Sequence, residues 1–204
     1  MVQINPTYPL PPAPIASFDF EDVAEGTGVV IFFGISSETS GGVDYHLVAN
    51  KAFSSQPDTT RSTSGTTTID FDTGTFNLPR TAKGTAYFSA AIGGTTDQAR
   101  PQLKVQIFHV DAAAAETNIT SEITSQEFAA PSGVGPEMVF LELPITQKHF
   151  AKGEFIRLRV KLVTTTNTTA GVGHDPNNQD PTFTSAALKI TTVMELQMPF
   201  RIDI

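Results

Sequence analysis

The chain of 204 residues carries a net charge of -8 at pH 7 and contains no cysteine. That length suits one large β-domain, and the lack of thiols excludes a disulfide framework and thiolate metal sites while fitting a reducing cytosol. The 13 Lys and Arg are scattered along the sequence, which argues against direct nucleic-acid binding, because phosphates call for cations gathered on one face.

Residues 1–16, MVQINPTYPLPPAPIA, stand apart, with Pro6, Pro9, Pro11, Pro12 and Pro14 excluding helix and central strand. The segment reads either as a solvated tail or as an extended arm. Tyr8, Leu10, Pro11, Pro12 and Ile15 are the candidate docking residues of such an arm, since apolar side chains are unusual in a purely solvating tail. The remainder, 17–204, is expected to form one domain.

GVVIFFGI, at 28–35, is a continuous apolar run, as expected of a strand buried on both faces. It is too short to cross a bilayer, and the N-terminus has no basic segment leading into an apolar core, so neither a membrane partner nor a signal peptide is expected. VDYHLVA at 43–49 is a weaker strand, and the polar stretch 54–68 reads as a loop. Ile69 with Phe71, then Phe76 with Leu78, give two short apolar bursts before the strand GTAYFSAAI.

QLKVQIFHV at 102–110 alternates, with Leu103, Val105 and Ile107 on one face and Lys104, Gln106 and Phe108 on the other. DAAAAETN at 111–118 allows one helical turn at most. In MVFLELPI, Val139, Leu141, Leu143 and Ile145 share a face, and in EFIRLRVKLV the residues Ile156, Leu158, Val160 and Leu162 face inward while Arg157, Arg159 and Lys161 face outward. One or two further strands close the sequence. This spacing of short strands points to an all-β sandwich or barrel.

Two stretches carry a resemblance. FNLPRTAKGTAYFSAAIG, through Phe76, Pro79, Gly84, Tyr87, Phe88 and Ser89, and HFAKGEFIRLRV, through Phe150, Gly153, Ile156, Leu158 and Val160, resemble jelly-roll domains of the tumour-necrosis-factor and complement type. The pattern is also common in virion proteins of tailed bacteriophages. The resemblance implies an antiparallel jelly-roll β-sandwich in which Gly84 makes a turn and the aromatics fill the core. It also implies a homotrimer.

Chemistry is sparse. His46, His109, His149 and His174 lie on separate segments, and no metalloprotease, phosphate-loop or nucleophile-elbow spacing is present. The carboxylates Asp19, Glu21 and Asp22, and the pair Asp70 and Asp72, read as structural or solvated. In the loop GVGHDPNNQDP, His174, Asp175, Asn177, Asn178 and Asp180 offer oxygen ligands for a hard cation, but the Asp-Pro pairs are explained by turn formation. Asn118 and Asn167 begin chance sequons in a Thr-rich chain. The expectation is therefore no cofactor and no enzyme. The implied role is a capsid decoration or cement protein of the virion, made in the host cytoplasm, with the major capsid protein as partner. The rivals are a receptor-binding or fibre-tip domain and a carbohydrate-binding module.

Overall fold

The computed structural model describes residues 27–39, 42–50, 59–62, 65–94, 100–128, 137–164, 170–174 and 194–201. Among these residues every regular element is a strand. In chain order they are β1 Thr27–Thr39, β2 Gly42–Val48, β3 Thr59–Ser62, β4 Gly65–Thr73, β5 Arg80–Gly94 and β6 Gln102–Val110. There follow β7 Glu116–Asn118, β8 Ile123–Thr124, β9 Glu137–Phe150, β10 Phe155–Thr164, β11 Ala170–Gly173 and β12 Glu195–Arg201.

Alternation places these residues in strands. Along β10 every second side chain from Ile156 to Thr164 is buried, because a strand turns successive side chains to opposite faces. The same period sets Leu103, Val105 and Ile107 of β6 inward on one side of β10 and Ile69 and Phe71 of β4 inward on the other. Phe88, Leu143, Leu158, Val160 and Leu196 join one continuous core.

Strand order runs β3-β11-β5-β12-β1-β2-β4-β10-β6-β7, with β8 also on β6 and β9 also on β5. Two groups emerge: β1-β12-β5-β9, and β4-β10-β6 with the short β7 and β8. Setting aside β2, β3 and β11, and counting β7 with β8 as one strand, the groups take positions 1-8-3-6 and 2-7-4-5 in the chain. That interleaving is the double Greek key of a jelly roll. The ladders are antiparallel except where β2 meets β4 in parallel through His46↔Asp72 and Leu47↔Thr73.

The two groups pack face to face around the core. A Cβ at Gly34 of β1 would meet the end of the Met194 side chain and crowd the Phe71 ring, so glycine lets the two groups approach closely here. At one end of the sandwich Phe76 stands edge-on to Phe150 and Phe200, at 5.3 and 5.9 Å between ring centroids.

Three local expectations are corrected. The stretch 54–68 is not all loop: β3 and the start of β4 lie in it. Thr59–Ser62 runs beside β11, and threonine is a good strand former even in a polar sequence. Gly84 makes no turn. It sits inside β5 with φ 115° at a register shift between β5 and β9, where an extra residue bends the strand and glycine supplies the left-handed backbone. Finally, β1 is not buried on both faces along its length, because Val29 and Ile31 point outward and are exposed.

Candidate functional site

The two outer faces of the sandwich differ in chemistry. On the β4-β10-β6 side, Arg159 grips Asp70 with two hydrogen bonds of 2.7 Å. Arg157 grips Asp72 at 2.7 and 2.6 Å, and Glu116 bridges both arginines at 2.6 and 3.1 Å. Such two-pronged pairs are the stronger kind of ion pair. The hydrogen bonds that Arg157 donates to Asp72 and Arg159 donates to Asp70 hold both guanidinium pKa values above their ordinary range. Burial acts to raise the Glu116 carboxyl, but the hydrogen bonds from Arg157 and Arg159 bring it below its usual value. Lys161 continues the row to Glu122 at 2.5 Å. The charges on this face are largely taken up by one another.

The outer face of β9-β5-β12-β1 instead carries exposed apolar side chains interspersed with polar ones. Cross-strand register sets Glu142, Tyr87, Gln197 and Ile31 in one row. Phe140, Ser89, Glu195 and Phe33 form the next row. Phe140 is 74% exposed, Val29 64% and Tyr87 50%, with Ile31 and Met138 also open to solvent. Tyr87 and Phe140 are diagonal neighbours, about 7 Å apart on adjacent strands, and flank a groove of about 260 Å³ floored by Ser89, Glu142, Glu195 and Gln197. Exposed apolar side chains gathered in this way mark an interaction surface, and aromatic residues and Met are enriched in such surfaces.

Sequence reasoning missed this face. It assigned Tyr87 to the core together with Phe88, yet the two are adjacent in one strand and must point to opposite sides. Phe88 is buried and Tyr87 is not. The signal was available: in VVIF and YF an apolar residue occupies the outward position of an alternating strand.

The other sequence candidates fall in different places. Asp70 and Asp72 are held in the ion pairs above and form no open carboxylate pair. His46 shares a 2.8 Å hydrogen bond with Ser37, and His149 one of 3.2 Å with Thr81. His109 is buried and hydrogen-bonds Glu154 at 2.7 Å. His174 lies in the core, edge-on to Tyr45 and Phe71, and burial pushes its pKa down to about 4. Among the described residues, no group of three His, Asp or Glu is placed to hold a metal ion. The arm residues Tyr8, Leu10, Pro11, Pro12 and Ile15, the carboxylates Asp19, Glu21 and Asp22, and Asp175, Asn177, Asn178 and Asp180 all lie outside the described residues.

No protein-family model matches the chain, and no curated protein matches it in sequence. Among solved structures it is similar to a CocE/NonD family hydrolase from Staphylococcus aureus, at 10% identity and a TM-score of 0.51, over 84% of this chain and 36% of that one. An α-amino acid ester hydrolase is similar at 11% identity and a TM-score of 0.47, over 84% of this chain and 35% of that one. The family 3a carbohydrate-binding module of the Clostridium thermocellum cipA scaffolding follows at 14% identity and a TM-score of 0.34, over 82% and 94%. The chain thus spans about a third of the length of the hydrolases it resembles. At such identity the first likeness speaks for the sandwich fold alone, and fold does not carry function.

Proposed function

We propose that this chain is a non-enzymatic structural protein of a tailed-bacteriophage virion, a capsid decoration protein working as a homotrimer. The observation that carries the reading is the set of exposed apolar side chains, Val29, Ile31, Tyr87, Met138 and Phe140, on the outer face of β9-β5-β12-β1 of a sandwich whose opposite face satisfies its own charges. Such a face is suited to contact between copies, one sheet burying Val29, Ile31, Tyr87 and Phe140 against its neighbour. A three-fold arrangement closes the ring without leaving the patch exposed. The resemblance of the Tyr87 and Leu158 strands to virion jelly rolls supports the viral setting. The major capsid protein is the second partner, engaged by the arm through Tyr8, Leu10, Pro11, Pro12 and Ile15.

The reading is tested in two steps. Sedimentation at micromolar concentration should give about three times 21.8 kDa, and Tyr87→Glu with Phe140→Glu should give a folded monomer. Full-length protein added to undecorated heads of the encoding phage should then occupy them. A monomeric wild type, or heads left bare, overturns it.

One observation favours a second reading, a receptor-binding or fibre-tip domain. Tyr87 and Phe140 offer apolar ring faces beside Ser89, Glu142, Glu195 and Gln197, a combination that suits the C–H face and hydroxyls of a sugar. Binding on a glycan array that is lost in Tyr87→Ala separates it from the first.

A further inference from the structure

The outer face of β9-β5-β12-β1 carries its charges at two ends. Strand register sets Arg201 of β12 beside Thr81 of β5, and Lys83 stands two residues further along β5. Towards the other end Glu142 of β9 is opposite Tyr87, and Glu195 of β12 is opposite Ser89. Alternation turns these four side chains outward, because their sequence neighbours Ala82, Leu143, Leu196 and Phe200 are the ones buried in the core. They are the only Asp, Glu, Lys or Arg at outward positions of these four strands. At about 3.4 Å per residue the Arg201 end lies roughly 20 Å from Glu195 along β12. Among the described residues no ion pair or side-chain hydrogen bond engages any of the four.

The acidic end is also the aromatic end. Tyr87 and Phe140 flank the groove of about 260 Å³, and Glu142 and Glu195 both line it. Ring faces with carboxylates beside them attract a cation in two ways, through the quadrupole of the ring and through direct charge pairing. A planar guanidinium suits such a groove best, since it stacks on a ring while donating to carboxylates in its own plane. The cations that these four strands turn outward stand at the opposite end, so the chain does not fill its own groove.

We propose that copies of this chain join head to tail on this face, with Arg201 of one copy entering the Tyr87–Phe140 groove of the next. Lys83 accompanies it, and Glu142 and Glu195 are the counter-charges. The inference rests on the reading of this face as a contact between copies, and it adds the direction of that contact. A second copy is the occupant because the face carries both halves of the pairing, a groove that lacks a cation and two cations that lack an acid. A neighbour packed with like ends together would set Lys83 and Arg201 against their own kind, and such repulsion rejects a wrong arrangement. Around a three-fold axis the pairing closes when the strands run round the ring. Strands along the axis would hold like ends at one level.

The test is sedimentation of the full chain and its charge-reversed variants at micromolar concentration, with melting temperatures to show that each variant folds. Wild type should associate, and less tightly as salt rises. Glu142→Lys with Glu195→Lys should weaken association by about tenfold or more, and Lys83→Glu with Arg201→Glu should do the same, because each pair leaves the face with charges of one sign. The chain carrying all four reversals has its ends exchanged and should associate again. Lys161→Gln on the ion-paired face should change nothing. Wild-type association that survives both paired reversals, or that the fourfold reversal fails to restore, overturns the head-to-tail pairing and leaves the shared face standing. A monomeric wild type overturns the reading of the face as a contact between copies, and the pairing with it.

Discussion

Leu158 has no exposed surface and sits between Phe71 of β4 and Ile107 of β6. Leu158→Ala should therefore cost about 2–5 kcal/mol, read from denaturant or thermal unfolding; a variant that melts with the wild type would mean that the site collapses without a void. Gly34→Ala should also destabilise, by about 1–3 kcal/mol, since its methyl forces the buried Met194 side chain aside and crowds the Phe71 ring. His174 gives a pH dependence with a definite sign. Its folded pKa is lowered from 6.5 to about 4 by burial, so between these values the unfolded chain takes up a proton that the folded one refuses. Stability should be full above pH 6.5 and fall as the pH drops towards 4. His174→Phe, shaped to stay beside Tyr45, should flatten that stretch of the curve; an unchanged slope would assign it to other groups. Glu154, held below its ordinary value by the hydrogen bond from His109, adds a loss that develops as the pH falls through the unfolded value of 4.5, where the unfolded carboxyl binds a proton that the folded one still refuses.

The β4-β10 ladder carries its ion pairs on a half-exposed face, and that sets their worth. Asp70→Asn should lower stability by about 1 kcal/mol or less in dilute buffer, and by less again in about 1 M salt, where charges are screened within about 3 Å. A loss that ignores salt would mean that Asp70 acts by packing. How far the elements were legible follows from the same ladder. In β10 and β6 one face is core and the other solvent, so strict alternation announced both strand and register. Val105, Leu158 and Val160 were identified as inward-facing on that basis, and all three are buried. In β1 the outward residues are apolar too, and alternation could not tell a doubly buried strand from one that exposes a contact surface. β3 escaped notice because Thr59–Ser62 has no apolar residue at all.

At the scale of the whole molecule, the Pro-rich segment is expected to be dispensable for the sandwich and essential for attachment. Sixteen residues extended at about 3.1 Å each reach roughly 50 Å, enough to cross onto a neighbouring subunit. Deleting residues 1–14 should leave the melting temperature almost unchanged while sharply reducing occupancy on undecorated heads. Equal occupancy would place the contact on the sandwich itself. The order of the strands also bears on how the protein is made. β1 is locked between β2 and β12, with Thr27 opposite Arg201, so its neighbour on one side is the last described strand to leave the ribosome. At about 5–20 residues per second, synthesis keeps the β1 edge waiting roughly 10–35 s for that partner. During that interval Val29 and Ile31 belong to an open strand edge on a half-made sheet, the state in which β-proteins pair with the wrong chain. Sister chains on one polysome therefore compete with β12 for β1, and slower translation of the C-terminal half should raise the yield of aggregate.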